Sequence, residues 1–364
     1  MFSAETQYAV LYFVLTILVI SALFIYGDNR SNFSQNKGSA IRLLIFMILI
    51  IGIREWASPL FGDSLAYGLY FDKAQSPDSV WYAKSKFFGY LYYYWHSLGL
   101  SPELFFVVSA SVYCVPMYFI SKKFAGKYSS YIFLLFFSCS FGWYSFGVNG
   151  IRNGWAFSTM IWALLAYYNR NLFATLTLLI LAWCIHGSAM IPIGGMIVAY
   201  KYSNPNKALL VWISCVIISL VVGRSIQEYL ATFDFIADDG GSYLTGSMEA
   251  NVATFSHTGF RWDFLLFSLA PILWALYCIN NNLKKGHRDI YYNFLVCSYI
   301  YANSLWVLAI RASYSNRLAQ TSWWMIPLII AYPLYKMDIF SNRCQTAVIT
   351  LACYYSFTFF MYLR

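Results

Sequence analysis

Six arginines stand at or near the ends of long apolar segments, where an ionisable group is costly to place. One of them, Arg152, opens the stretch SFGVNGIRNGWAFSTMIWALLAYY at residues 145–168. A guanidinium stays charged at physiological pH, and its planar fork matches two oxygens of a phosphate or carboxylate. The set comprises Arg54, Arg152, Arg224, Arg261, Arg311 and Arg317. These residue types at these places predict anion binding close to a membrane surface.

Each arginine has two interpretations. Its stem could lie along a helix while its head reaches a lipid phosphate, or its fork could serve a shared anionic ligand. Outer loops are normally poor in arginine, so six on the face predicted below to be outer favour the shared ligand. A lipid-linked phosphate or diphosphate fits, because a diphosphate can engage several forks at once. Arg152 also lies in the predicted first turn of its helix, where free backbone N–H groups add positive potential.

His186 and Asp63 are the other candidates for chemistry. His186 ends an apolar run in LAWCIHGSAM, at a predicted helix break. It is either a satisfied structural histidine or a group that contacts phosphate and orients the acceptor. Asp63 follows Arg54 by nine residues. Its carboxylate is a base toward a sugar hydroxyl, a partner that fixes the Arg54 rotamer, or a solvated loop acid.

The elements that position these groups must be membrane helices. The 364 residues are 60% hydrophobic and 11% charged, far below the roughly 25% charged residues of soluble domains. Apolar and polar residues do not alternate with the period of two that is typical of β-strands. We therefore expect the fold class of an all-α polytopic membrane protein. About twelve spans are predicted, at about 8–26, 41–53, 99–120, 128–147, 151–168, 171–186, 187–200, 208–223, 264–279, 290–310, 317–335 and 345–362.

Charge sets the predicted orientation. One set of loops holds 14 of the 24 basic residues and three of the 15 acidic ones, so we expect it to face the cytoplasm, with both termini outside. The net charge of +9 thus reflects topology and gives no indication of nucleic acid binding. We expect one integral membrane domain over 1–364, with two large outer loops at about 54–98 and 224–263. An interfacial or re-entrant helix is predicted in the second half of the first loop.

Metal and disulfide chemistry find no support in the sequence. The eight cysteines include no CxxC pair, and the histidines form no HExxH motif. Asp238 and Asp239 precede two glycines, which is more typical of a turn than of a calcium loop. We therefore expect no cofactor.

Aromatic residues crowd the first outer loop. A belt at the membrane interface is the leading interpretation, and a surface for sugar rings is the alternative. The cluster is Trp81, Tyr82, Tyr90, Tyr92, Tyr93, Tyr94 and Trp95.

Several of these segments occur together in one known family. VNGIRNGWAFSTMIWALLAYY followed by LAWCIHGSAMIPI resembles the pattern of EpsG-like and Wzy-type bacterial polysaccharide polymerases, in which an N-x-x-R-x-x-x-A helix start precedes an H-x-S-A segment. REWASPLFGDSLAY looks like the early loop of that family and gives Arg54, Asp63 and Tyr67. TGFRWDFLLFS is similar to a G-F-R-W-D-F segment and gives Arg261 and Asp263. SNRLAQTSWWMIPLII is similar to the late arginine segment and gives Arg317.

The resemblance covers about 50–335 and implies an O-antigen or surface-glycan polymerase. Such an enzyme transfers a growing glycan from undecaprenyl diphosphate onto a new lipid-linked repeat unit at the periplasmic face of the inner membrane. It implies donor and acceptor glycans on undecaprenyl diphosphate as partners, membrane lipid around them, an optional chain-length regulator and no nucleic acid. It also implies a GT-C-like architecture. The departures are Trp155 and the aromatic run at 90–95.

Roles follow from that resemblance. Arg152, Arg261 and Arg317 would bind the donor or acceptor diphosphate, and Arg54 and Arg311 would support them. His186 would orient or contact the reacting end, Asp63 would be the base or an arginine partner, and the 224–263 loop would act as a lid. The predicted catalytic set is Arg152, His186 and Asp63, and the substrate-binding set is Arg54, Tyr67, Arg261, Arg311 and Arg317.

Three other functions fit parts of the pattern. A flippase for lipid-linked sugars would also need arginines, but along a path across the membrane, whereas these charges gather at span ends. A membrane O-acyltransferase would use a histidine within a helix and acyl-CoA entry from the cytoplasm, whereas His186 is predicted outside. A structural membrane subunit would need no such arginine set.

Overall fold

The chain is helical throughout the part that its computed structural model describes. That part comprises residues 3–28, 39–58, 61–74, 76, 86–230, 259–311 and 315–363, and it contains no strand. The predicted fold class, a helical membrane protein, is confirmed.

Fifteen α-helices lie within the described residues. They are α1 Ala4–Tyr26, α2 Ser39–Gly52, α3 Gly62–Lys73, α4 Lys86–Ser97, α5 Pro102–Ser138, α6 Trp143–Val148, α7 Ile151–Tyr168, α8 Leu172–Ile185, α9 Met190–Lys201, α10 Pro205–Leu230, α11 Trp262–Lys284, α12 Ile290–Leu308, α13 Ser315–Trp323, α14 Ile326–Lys336 and α15 Arg343–Leu363. A short 3₁₀ turn, Gly187–Ala189, lies between α8 and α9.

Five helices within these ranges are long and apolar enough to cross a membrane. They are α1, the first part of α5 up to Gly126, α10 up to Gly223, α11 and α15. The predicted count of about twelve is not reached by this criterion, because several predicted spans fall on helices shorter than a ~20-residue crossing.

Two predicted spans are interrupted for identifiable reasons. The span at 128–147 is wrong as one helix, because α5 ends at Ser138 and Gly142 takes a left-handed φ of 91° before α6. The span at 317–335 divides between α13 and α14, and Pro327 in the first turn of α14 lacks the N–H that a continuous helix needs. The break predicted near His186 is present.

The chain forms two compact units. Unit 1 comprises residues 1–186, 334–336 and 340–364, and unit 2 comprises 187–333 and 337–339. In unit 1, α2 packs along α5, α5 packs on α7, and α1 packs on α15. Helices α7 and α8 form a tight hairpin, because only residues 169–171 connect them. The start of α7 and the end of α8 therefore lie at one end of that hairpin.

Unit 2 is built around α12, which packs against α9, α10 and α13. A buried polar network joins four of its helices. The Trp212 indole donates to Asn303 Oδ1 over 2.7 Å, and the Asn303 amide donates to Ser322 Oγ over 3.0 Å. Ser268 Oγ accepts from Asn303 and from the Trp323 indole. Without such partners each of these polar groups would be costly in an apolar interior.

Adjacent glycines in α9 provide a matched test of this packing. A Cβ on Gly195 would stand 2.6 Å from the Ser298 carbonyl oxygen of α12, whereas one on Gly194 would meet nothing within 4 Å. We expect Gly195→Ala to destabilise the protein by about 1–3 kcal/mol through overpacking. Gly194→Ala should be neutral or stabilising by up to about 1 kcal/mol, since alanine favours helix. Thermal unfolding of both variants in detergent measures the difference, and equal melting temperatures would contradict the close α9–α12 approach.

Candidate functional site

Arg54 is the most deeply placed charged residue described in unit 1. Its side chain is 1% exposed and lies just beyond the end of α2. Its Nε donates to Ser64 Oγ over 3.0 Å, and its two terminal nitrogens donate to the carbonyls of Ile51 at 2.8 Å and Val148 at 3.1 Å. The guanidinium also lies 4.1 Å from the centroid of the Phe106 ring. Arg54 thus ties the end of α2 to α3 and to the segment that precedes α7.

These contacts occupy all three guanidinium nitrogens and hold Arg54 between α2, α3 and the segment before α7. Burial lowers the pKa of Arg54 to about 9, while the neighbouring Tyr144 and Tyr67 raise it, so the group remains charged at neutral pH. The side-chain contact that holds Arg54 Nε does not come from Asp63. The adjacent Ser64 supplies that contact, and its hydroxyl donates in turn to the Val148 carbonyl.

Tyr67 and Arg152 lie next to the residues that Arg54 holds together. Helix α7 begins at Ile151, so Arg152 lies in its first turn, as the sequence predicts. The Arg152 side chain and its backbone N–H both donate to the Tyr67 hydroxyl, so Tyr67 caps a helix whose N-cap residue, Gly150, has no side chain to do so. Burial raises the pKa of Tyr67, the Arg152 charge lowers it, and the nearby Asp63 raises it, so the phenol stays neutral.

Asp63 and His186 complete the residues predicted in unit 1. Asp63 lies in the first turn of α3, half-buried, and close enough to Tyr67 to influence its pKa. His186 is the C-terminal cap of α8, 8% exposed, with its backbone N–H donating to the Ala182 carbonyl. The α7–α8 hairpin places His186 and Arg152 at the same end of unit 1.

Two residues that the sequence did not assign also belong to this cluster. The Tyr92 hydroxyl is buried without a hydrogen-bond partner among the described residues, and its pKa is raised by burial and by Tyr67 but lowered by the Arg152 charge. Asn149 Oδ1 is buried and unpartnered within the same described part. Buried polar atoms are almost always hydrogen-bonded, so both atoms are candidates for substrate contact. The N-x-x-R pattern around Arg152 was the available signal for Asn149.

In unit 2, Arg261 is the N-cap of α11 and forms a two-pronged ion pair within its own turn. Its Nε donates to Asp263 Oδ1 over 3.0 Å and a terminal nitrogen donates to Oδ2 over 2.7 Å. The guanidinium lies 3.7 Å from the Phe264 ring centroid and is 19% exposed. Its other terminal nitrogen still faces outward from this pair, so Arg261 is held in place while retaining donors for an anion.

Arg311 lies beside Phe260, the residue that precedes Arg261. The Phe260 ring centroid is 5.4 Å from the Arg311 guanidinium. A Cβ on Gly223 of α10 would lie 3.4 Å from Arg311 Nε, so the region after α12 packs against α10. Arg317 is exposed on the first turn of α13. The Arg224 side chain lies outside the described residues, and so does the stretch 231–258 of the predicted lid at 224–263.

The arginine at the start of a helix recurs in both units. Arg152, Arg261 and Arg317, here called the helix-start arginines, open α7, α11 and α13. A cation there opposes the helix dipole at a cost of about 0.3–1 kcal/mol, and neither α7 nor α13 carries an acid in its first turn to offset it. An anion bound at these positions would offset that penalty, because it would lie beside both a guanidinium and the positive end of a helix dipole.

Among the described residues, no group of three or more His, Cys, Asp or Glu side chains is arranged to hold a metal ion.

Comparison with known proteins identifies the class. The EpsG family model matches residues 39–364, so the chain belongs to the EpsG family, the family of Wzy-type polysaccharide polymerase-like proteins. The match includes every helix but α1. No curated protein and no solved structure matches the chain. The predicted family is confirmed, and membership indicates a polysaccharide-polymerase-like role in a multi-pass membrane protein.

Tyr67 and Tyr70 on α3 make a matched pair for testing the Arg152 contact. Tyr67 is 7% exposed and holds Arg152, whereas Tyr70 is 54% exposed. Tyr67→Phe removes a hydroxyl that accepts from a charged donor, which is worth about 1.5–3 kcal/mol. We expect glycan synthesis to fall about ten-fold or more, measured as long-chain product per cell. Tyr70→Phe should leave synthesis unchanged, and equal activity of the two variants would exclude Tyr67 from the site.

Arg54→Lys tests whether Arg54 positions the site or binds substrate. Lysine cannot reach three acceptors in a fork, so we expect buried carbonyls to lose partners and the protein to be destabilised by about 2–4 kcal/mol. The thermal unfolding midpoint of purified protein measures this loss. Arg42→Lys, at an exposed position on α2, is the control and should unfold like the wild type. An Arg54→Lys protein of full stability but without activity would instead indicate substrate contact.

Proposed function

We propose that this protein polymerises lipid-linked oligosaccharide repeat units. It would transfer a growing glycan from undecaprenyl diphosphate onto the terminal sugar of a new undecaprenyl-diphosphate-linked repeat unit. The observation that carries the proposal is the set of helix-start arginines, which places guanidinium forks at the N-terminal ends of α7, α11 and α13 in a protein of the EpsG family. Two lipid diphosphates take part in such a transfer, and each unit contains arginines of this kind.

The reaction requires little beyond these groups. A hydroxyl of the acceptor sugar attacks the anomeric carbon of the donor glycan, and the bond from that carbon to the diphosphate oxygen breaks. The electron pair leaves with undecaprenyl diphosphate, whose growing negative charge the arginines neutralise. The hydroxyl proton passes to a base, for which Asp63 is the candidate because it lies beside Tyr67 and the Arg152 turn.

Each residue of the candidate site is assigned a role in this transfer from its position and its contacts. Arg152 binds the departing diphosphate, with Tyr67 fixing its orientation and Arg54 fixing both helices from below the surface. His186, buried at the end of α8, orients the reacting end. Arg261 and Arg317 bind the second lipid diphosphate, and Arg311 supports Arg261 through Phe260.

The membrane arrangement in this proposal follows the loop charges. The arginine-bearing ends face the periplasm, and the lysine-rich loops face the cytoplasm of the bacterial inner membrane. The shorter apolar helices, such as α2 and α8, would then add crossings to those of the five long apolar helices in a GT-C-like arrangement. A chain-length regulator is an optional partner.

Complementation of a deletion strain tests this function. Arg152→Lys keeps the charge and loses the fork, so we expect long-chain glycan to fall at least ten-fold while protein level is retained. Arg42→Lys is the matched control and should restore full chain length. The product is measured by gel separation of extracted glycan.

The sidedness of the accumulated lipid distinguishes this function from its rival. A strain that lacks a polymerase accumulates single repeat units on the outer leaflet, whereas one that lacks a flippase retains them on the inner leaflet. Wild-type chain lengths from Arg152→Lys, or inner-leaflet accumulation in the deletion strain, would refute the proposal.

A further inference from the structure

A groove of about 530 Å³ opens on unit 1 at the end opposite Arg152. It lies between α5, α7 and α8, and none of the predicted site residues takes part in it. Helix α7 runs about 27 Å from its Arg152 end to this groove, close to the ~30 Å thickness of a bilayer's hydrocarbon core. The groove and the Arg152 end of α7 are thus separated by about the thickness of that hydrocarbon core.

The walls of the groove are apolar and its rim is polar. Phe119, Trp162 and Leu178 line the wall, and Phe119 and Trp162 pack with ring centroids 5.3 Å apart. Lys123, Asn169 and Asn171 line the rim. Phe119 is 43% exposed and Lys123 is exposed, so the groove is accessible from outside the unit. An amphiphile with a hydrocarbon chain and a polar head matches this division.

The rim is strongly positive. The Lys123 ammonium lies 5.5 Å from the Tyr168 ring centroid, and the Lys336 ammonium lies 5.9 Å from the same centroid. Neither lysine forms an ion pair with a carboxylate within the described ranges. Two ammonium groups drawn to one ring repel each other, and an anion beside them would relieve that repulsion.

Arg170, an exposed cation, lies in the chain between the two rim residues Asn169 and Asn171. It takes a left-handed φ of 59° between Asn169 and Asn171, at the position after α7 where glycine is the usual residue. An arginine there costs about 1 kcal/mol or more in backbone energy relative to glycine. The sequence thus places a charge at this turn against the local conformational preference.

We propose that this groove binds one anionic phospholipid of the leaflet that it faces. The phosphate of the headgroup would contact Lys123 and Lys336, and an acyl chain would lie along Phe119, Trp162 and Leu178. Charge complementarity selects an anionic headgroup over a zwitterionic one, since the rim supplies cations and the described rim residues include no acid. This site is separate from the glycan chemistry and does not rest on the proposed function.

Lipid-dependent stability of the purified full-length protein tests the site. Phosphatidylglycerol added to detergent-solubilised wild type should raise the thermal unfolding midpoint by several degrees, and phosphatidylethanolamine should raise it by less than half as much. Lys123→Gln and Lys123→Glu are the test variants, because an exposed lysine can be replaced without loss of folding. We expect the preference for phosphatidylglycerol to shrink in the first variant and to vanish in the second. Lys207→Gln, at an exposed position on α10, should keep it.

Several outcomes would overturn the proposal. An equal response to both lipids, or a wild-type response from Lys123→Glu, would show that the groove does not select an anionic lipid. The same stabilisation from inorganic phosphate would indicate a small-anion site without a lipid chain. Displacement of bound phosphatidylglycerol by equimolar undecaprenyl phosphate, observed by native mass spectrometry, would assign the groove to a polyprenyl lipid instead.

Discussion

A buried guanidinium that has no carboxylate must place its N–H groups on neutral oxygens, and unit 1 is built to meet that demand. Arg54 draws the carbonyls of Ile51 and Val148 and the hydroxyl of Ser64 to one point. Desolvating the cation is costly, so all three segments must be in place together for the charge to be tolerated. Because Ser64 lies on the helix of Tyr67, and Val148 shortly precedes Arg152, this contact fixes the two residues that form the candidate anion site. The buried contacts of Arg54 thus fix the positions of Tyr67 and Arg152 relative to each other.

Unit 2 also holds its helices and arginines in fixed positions, but through different contacts. Its helices are joined by neutral hydrogen bonds among tryptophan, asparagine and serine, which suit an apolar surrounding because each donor meets an acceptor. Its arginines stay nearer the surface, where Arg261 is held by Asp263 and Arg311 lies beside Phe260. In both units the arginine most able to bind an anion is oriented by a second side chain. Because the arginine side chain is already restrained, less of its conformational entropy is lost when a diphosphate binds.

Sequence patterns predicted some of these features and could not reach others. The limits of α7 were evident, because a mainly apolar stretch from Ile151 to Tyr168 lies between polar turns. The predicted spans at 128–147 and 317–335 failed as single helices, because hydropathy averages over a left-handed glycine before a helix and over a proline in the first turn of one. The role of Arg54 was beyond sequence reasoning, since a pattern shows that an arginine ends a segment but not that its side chain turns inward. Tyr92 could not be singled out from the sequence, because it is one of many aromatic residues in its loop and a belt at the membrane interface explains all of them equally well.

The central claim is that guanidinium forks at helix starts hold a lipid diphosphate, and direct binding tests it without the complications of a cellular assay. Purified wild type, with a short-chain polyprenyl diphosphate as the probe, would be titrated by native mass spectrometry beside Arg152→Lys. The account predicts that the wild type binds the diphosphate at least ten-fold more tightly than the corresponding monophosphate, and that Arg152→Lys loses most of this preference. Equal affinity for the two lipids in the wild type, or an unchanged preference in the variant, would contradict it.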